Sequence, residues 1–230
     1  MRNITKLVIA ATFGLAVAQQ STERLDMVIR EDFFAGINGD AARFERAMQK
    51  CEEELAKNPK NYSAMVWHGG GLYFRAGQAF RVGDTEKGLE LNQRGMKEMA
   101  DAVALAPDSL QTRIPRGAIL VGGARFVDEA RARPMLDLAA SDYEKAFELQ
   151  KPFLKNLGTH SEGELLGGLA DIYRRLGDAS KSREYLQRIV DDLPGTVYEK
   201  QARRWMADLA AVPRQARFCL GCHTESKARP

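Results

Sequence analysis

Cysteine is scarce in this 230-residue chain, which has Cys51, Cys219 and Cys222 and no others. An odd, sparse set of this kind does not make the disulfide framework of a small exported protein. Histidine is equally rare, with His68, His160 and His223. Strand-like alternation is missing after residue 21, which leaves helix as the expected state of nearly every stretch. Outside the N-terminus no run approaches the roughly 18 apolar residues that a membrane span needs. One-sided charge is lacking too: 34 Lys and Arg face 31 Asp and Glu, a formal +3. So even a balance points away from nucleic acid and from a charged membrane surface as partners. No phosphate-binding loop, dinucleotide fingerprint or acid–base carboxylate pair occurs. His68-Gly69-Gly70-Gly71 spells the oxyanion loop of some lipases, but the G-x-S-x-G elbow and the sheet that carries it are missing. No enzyme is expected.

What the chain does have begins at its N-terminus. Arg2 and Lys6 precede an apolar run from Leu7 to Val17, and Ala16-Val17-Ala18 is a small-residue cleavage site. These are the three parts of a secretory signal peptide, so residues 1–18 are expected to be removed and the product to be periplasmic or secreted. Loss of Arg2 and Lys6 brings the mature protein within about one charge of neutrality.

At the other end stands Phe218-Cys219-Leu220-Gly221-Cys222-His223. In an exported protein the pattern C-x-x-C-H reads as covalent attachment of haem c. Cys219 and Cys222 would be the thioether anchors and His223 the proximal iron ligand. Seven residues follow His223 in the sequence, so the haem is expected to pack on the helices or to lie largely exposed. A sixth iron ligand has four possible readings: His68, His160, a methionine, or none. His160 sits just before Ser161-x-x-Glu164, where a loop or capping role competes. Arg214, Arg217, Lys227 and Arg229 against Glu225 make the tail basic, suited to anionic propionates or merely solvated. Zinc needs a fourth ligand that no second C-x-x-C supplies, and a redox dithiol usually comes with a βαβ context that is absent.

Between these ends the sequence repeats itself. Ala47, Cys51, Glu54 and Pro59 share offsets of 0, 4, 7 and 12 with Gly95, Met99, Ala102 and Pro107. The same offsets recur at Ala140, Glu144, Phe147, Pro152 and at Ser182, Leu186, Ile189, Pro194. Offsets of 4 and 7 lie on one helical stripe, and a proline stops each helix soon after it. Cys51 falls on the first stripe and is expected to be a buried, inert thiol. Helices are expected near 22–37, 40–58, 61–80, 85–106, 114–131, 134–151, 161–176 and 179–193, with a capping helix at 196–211. Capping boxes are expected at Ser161-x-x-Glu164 and Thr196-x-x-Glu199, turns at Gly36, Gly39-Asp40 and Gly177-Asp178, and Pro115 in a first helical turn. The three glycines after His68 require close helix packing or a ligand edge to justify their cost in a helix.

Leu166, Leu169, Ala170, Tyr173, Gly177, Ser182, Leu186, Ile189 and Pro194 occupy the signature positions of the tetratricopeptide repeat, which this segment resembles. The resemblance implies an all-α, right-handed solenoid of about four helix pairs plus a capping helix over residues 19–211, with an irregular tail at 212–230. It also implies a binding scaffold whose concave face docks a protein partner, a redox protein or an envelope assembly. Together with the motif it implies one-electron transfer by one tethered haem c. The competing expectation is a pure interaction adaptor whose tail is a zinc or redox-thiol site.

Overall fold

The computed structural model describes residues 24–218; the signal peptide expected at 1–18 and the C-x-x-C-H sequence at 219–223 lie outside the described residues. The described part is all-helical and contains no strand. Its helices are α1 (Leu25–Ile37), α2 (Ala41–Lys57), α3 (Tyr62–Arg81), α4 (Thr85–Leu105) and α5 (Leu110–Gly123). They continue as α6 (Glu129–Gln150), α7 (Thr159–Leu176), α8 (Ala179–Asp192) and α9 (Val197–Ala207), with a 3-10 turn at Lys151–Asn156 between α6 and α7.

Turn chemistry fixes these boundaries. Asp40, Asn61, Asp84, Asp128, Asp178 and Thr196 each accept, through the side chain, the backbone N–H three residues on, satisfying one of the orphan donors at a helix start. Gly39, Gly83 and Gly177 all have positive φ just before Asp40, Asp84 and Asp178. In each case the Asp N–H reaches back to a carbonyl five residues earlier, at Ala35, Ala79 and Tyr173. This is the Schellman closure, which needs a residue able to enter the left-handed region. Pro59, Pro107 and Pro194 each stand two residues before the next N-cap, Asn61, Ser109 and Thr196. The sequence therefore repeats its turns more faithfully than its helix lengths.

Several expectations need correction. Gly36 is not a turn residue; it lies in α1, buried, where a Cβ would run into Phe44 of α2. Pro115 lies inside α5 rather than in its first turn, and Pro134 lies inside α6 rather than at its start. Both helices are nucleated earlier, by Ser109 and Asp128. Thr112 Oγ1 also donates to Ala106 O and Ser109 O at 3.0 and 2.9 Å, holding the α5 start in place. Ser161 does not cap α7, which begins two residues earlier after Gly158 at φ +81°. The box at Thr196 does form, with Glu199 reaching back one residue further, to the Gly195 N–H.

Each helix packs on its neighbours in the chain, and α1 also touches α3, α3 touches α5, and α7 touches α9. The α3–α4 crossing is the most extensive, and the glycines after His68 explain it. A Cβ on Gly69 would sit 2.8 Å from Gly95 O of α4, while Gly70 faces Ile119 of α5 and Gly71 faces Met48 of α2. Three consecutive glycines thus admit three different neighbours. Two large cores result. One joins Ile29, Phe33, Phe44, Met48, Cys51 and Leu72; the other runs from Leu120 through Leu166, Leu186 and Trp205 to Phe218. Cys51 is fully buried, and desolvation, reinforced by Glu52, Glu98 and Glu54, pushes its thiol far up.

Candidate functional site

After α9 the backbone does not leave the helices. Residues 212–218 form a strap that runs back along α7, and arginines on α7 and just after α5 hold it through its carbonyls. Arg174 Nη1 donates to Val212 O at 3.1 Å. Arg214 Nη2 donates to Val127 O, in the α5–α6 connection, at 2.9 Å. Arg125 Nη2 makes a longer contact of 3.5 Å with Ala216 O. The strap ends at Phe218, which is 3 % exposed. Its ring meets Trp205 edge-on at 5.0 Å between centroids and lies over Gly167, where a Cβ would come within 2.6 Å of Cε1. Glycine at 167 is what allows the aromatic ring to seat there.

The arginines are themselves set by one buried carboxylate. Asp171 is 1 % exposed and accepts from Arg125 Nη2 at 2.5 Å and Arg174 Nη2 at 2.7 Å. Arg125 Nη1 and Arg175 Nη1 both donate to Val121 O at 2.9 Å. Arg174 also stacks over Trp205, 5.1 Å from the ring centre. Burial lowers the Arg125 guanidinium, partly opposed by Asp171 and reinforced by Arg217 and Arg174. Arg175 is brought down to about 10, by burial first and then by Arg125, Arg174 and Arg214 around it. Positive charge is thus in local excess. Between α6, α7 and the strap, Arg133, Arg174, Arg175, Arg214, Leu136 and Glu129 enclose a cavity of about 250 Å³.

The contacts of α7 fall on one stripe. His160 and Gly163 meet Tyr198 of α9, Gly167 meets Phe218, Asp171 meets Arg125, and Arg174 meets the strap carbonyl of Val212. Spacings of three, four and seven put these residues on one helical face. Val212 lies at Arg174, Ala216 at the Asp171-bound Arg125, and Phe218 at Gly167. The strap therefore travels antiparallel to α7, from its C-terminal end towards its middle.

Cys219, Cys222 and His223 lie outside the described residues. Of the other histidines, His68 is buried in α3, with Nδ1 2.7 Å from Glu98 Oε2 of α4 and Nε2 3.7 Å from Glu52 Oε1 of α2. It staples three helices in the N-terminal half. His160 stands in the first turn of α7 with Nδ1 2.9 Å from Tyr198 Oη, and that hydroxyl donates to Glu164 Oε1 at 2.9 Å. Among the described residues no group of three or more His, Cys, Asp and Glu side chains is placed to hold a metal ion, and no helix is long and apolar enough to cross a membrane.

Arg125, Asp171, Arg174, Gly167 and Trp205 were not singled out from the sequence. Periodicity marks such positions only as inward or outward. One signal was present, since Gly163 and Gly167 lie one turn apart in a helix that has no need of glycine unless bulky groups cross it. Comparison with protein-family models, with curated proteins and with solved structures finds no match for this protein.

Proposed function

We propose that the protein is an exported scaffold of tetratricopeptide-like helix pairs, arranged as a right-handed solenoid, that carries one covalently attached haem c. Its work is one-electron transfer while its concave helical face is docked to a protein partner, a redox protein or an envelope assembly. The pairing of consecutive helices, the added contacts α1–α3, α3–α5 and α7–α9, and the repeated Gly-Asp turns support the repeat architecture.

One observation carries the haem reading. Phe218, the residue before Cys219, is buried on Gly167 and Trp205, so the attachment motif starts from a fixed point on α7 rather than from a loose tether. The residues fit the group chemically. Two thiols and an imidazole at this spacing are the donors of haem c, and Arg125, Arg174, Arg175 and Arg214 offer a cationic neighbourhood for two propionates. Such a group supplies a one-electron couple when bound. The protein's own residues would hold its attachment point, with Phe218 seated on Gly167 near the middle of α7 and against Trp205.

The test is to express the full-length protein in a host able to attach c-type haem and to record a pyridine haemochrome spectrum after denaturation and solvent extraction. A retained c-type band is expected, and Cys219→Ser/Cys222→Ser is expected to abolish it while the helical circular dichroism stays unchanged. Loss of the band from the wild type, with maturation working in the same cells, overturns the reading and leaves a protein-binding scaffold with a thiol or zinc tail.

A further inference from the structure

We propose that the cavity between α6, α7 and the strap binds a small phosphate-bearing anion, with the guanidiniums of Arg133, Arg175 and Arg214 as its counter-charges. Residues 129–214 build the whole cavity, so its ligand does not depend on whether a haem is attached.

Charge balance is the first reason. Elsewhere the protein gives clustered arginines a carboxylate: Arg43 and Arg46 share Asp32, Arg113 and Arg116 share Asp142, and Arg125 and Arg174 share Asp171. At the cavity it does not. Four guanidiniums, from Arg133, Arg174, Arg175 and Arg214, line it against the single carboxylate of Glu129. Arg174 is already committed to Asp171, and among the described residues Arg133, Arg175 and Arg214 form no ion pair. Arg175 and Arg214 are nonetheless held, because the carbonyls of Val121 and Val127 each accept one of their N–H groups at 2.9 Å. A carbonyl orients a guanidinium without neutralising it, so the positive charge is positioned in advance and left unmet.

Burial sharpens the deficit. The Arg174 side chain is 9 % exposed and its Nε has no hydrogen-bond partner, nor do Nε and Nη2 of Arg175. Burying a cationic group without its partners is costly, and an anion in the cavity would supply the missing charge at short range. The Arg175 guanidinium shows the same shortage. Burial first, and then Arg125, Arg174 and Arg214, bring it down to about 10 against the opposing pull of Asp171.

Shape and charge select the ligand. The three unpaired guanidiniums come from three elements, α6, α7 and the strap. A carboxylate offers two oxygens in one plane, whereas a phosphate monoester offers three and carries about 1.5 to 2 negative charges at neutral pH. The cavity of about 250 Å³ equals roughly eight waters at about 30 Å³ each, so a phosphate group leaves part of it over. Ala132, Leu136 and Val212 give it an apolar wall, suited to a short carbon chain. Free phosphate and a short phosphate monoester share the anionic chemistry, and the wall favours the ester.

The test is isothermal titration calorimetry on the full-length wild type, in phosphate-free buffer at fixed ionic strength. Glycerol phosphate is expected to fill one site per chain, more tightly than inorganic phosphate, with succinate weaker than either. Equal affinity for the two phosphates would support the site and identify free phosphate as its ligand. Arg133→Gln is expected to weaken glycerol phosphate about ten-fold, the scale of one hydrogen bond to a charged group. Arg133 is exposed, so the helical circular dichroism should not change. Lys60→Gln removes the same charge from the α2–α3 turn and is expected to change nothing. Glu129→Gln removes the opposing carboxylate and is expected to tighten binding several-fold. Failure of both phosphates to bind overturns the assignment, as does tighter binding of succinate or equal weakening by Lys60→Gln and Arg133→Gln. Cys219→Ser/Cys222→Ser separates the cavity from the haem. Equal affinity in that variant supports a ligand of the cavity's own, whereas binding seen only there would assign the cavity to haem propionates and overturn it. Absence of a haemochrome band overturns the haem reading alone and leaves the phosphate result standing.

Discussion

Glu162 shows how one residue is legible in position and illegible in state. It opens α7 and is only 2 % exposed, with Oε1 unpartnered. Its carboxyl is raised above the ordinary carboxylate range, by burial first and then by Asp192, with Lys155 opposing. A raised acid contributes stability while it is protonated, below its unfolded pKa, and loses that contribution as pH climbs through its folded value. At neutral pH Glu162 therefore costs stability. Glu162→Gln is expected to raise the melting temperature at pH 7, with the gain over wild type closing as the pH falls below the ordinary carboxylate range. Thermal melts of both proteins across that window are the check, and an unchanged gap at low pH would show that the gain does not come from ionisation. Gly167 offers the complementary case, since its role is steric. Gly167→Ala puts a methyl group where the Phe218 ring lies, forfeiting roughly 2 kcal/mol of aromatic burial. Trypsin is expected to cut after Arg214 and Arg217 several-fold faster in this variant, with the helical circular dichroism intact. Unchanged cleavage would mean that the arginine–carbonyl bonds alone secure the strap.

At the scale of elements, α3 and α4 set the tightest demand. Gly69 and Gly95 face each other with backbone against backbone, a Cβ at Gly95 falling 2.5 Å from Gly69 O. Overpacking at such a crossing costs about 1–3 kcal/mol. Gly95→Ala is accordingly expected to lower the urea midpoint, whereas Gly122→Ala, with open space at its Cβ, is expected to leave it in place or raise it slightly. Equal effects at the two sites would refute close approach as the reason for Gly95. Helix existence was legible because the 0, 4, 7 stripe and the following proline act locally, and Ala47, Cys51, Met99, Ala102, Leu186 and Ile189 are all buried as that stripe requires. The starts of α5 and α6 were not legible. Pro115 and Pro134 look like helix starts by their own chemistry, but Ser109 and Asp128 nucleate earlier, and the rest of each helix absorbs the missing proline N–H. At the stripe position of Glu144 the sequence shows only an acid on a buried face. The reason lies elsewhere in the fold: its Oε1 accepts from Tyr173 and Tyr185 at 2.7 and 2.9 Å. The strap site was illegible for the same cause, because Asp171, Arg125 and the 212–216 carbonyls meet only through tertiary packing.

For the molecule as a whole, the arrangement of contacts decides how it comes apart. Helices touch sequence neighbours and, at most, next-but-one neighbours in the large contacts, and the two main cores divide the fold near α4 and α5. In such an array stability is close to a sum of local and nearest-neighbour terms, so damage at one end need not reach the other. Trp205 tests this, because it touches Phe218 and Arg174 and closes the C-terminal core. Trp205→Ala removes about 3–5 kcal/mol from that core. Amides of α7, α8 and α9 are then expected to exchange hydrogen more than ten-fold faster, while those of α2 and α3 stay within about two-fold of wild type. Uniform acceleration along the whole sequence would instead show one cooperative unit, and the strap would then stabilise the far helices as strongly as its own. Confined acceleration would mean that the C-terminal helices on which Phe218 is seated open and close while α1 to α4 stay folded.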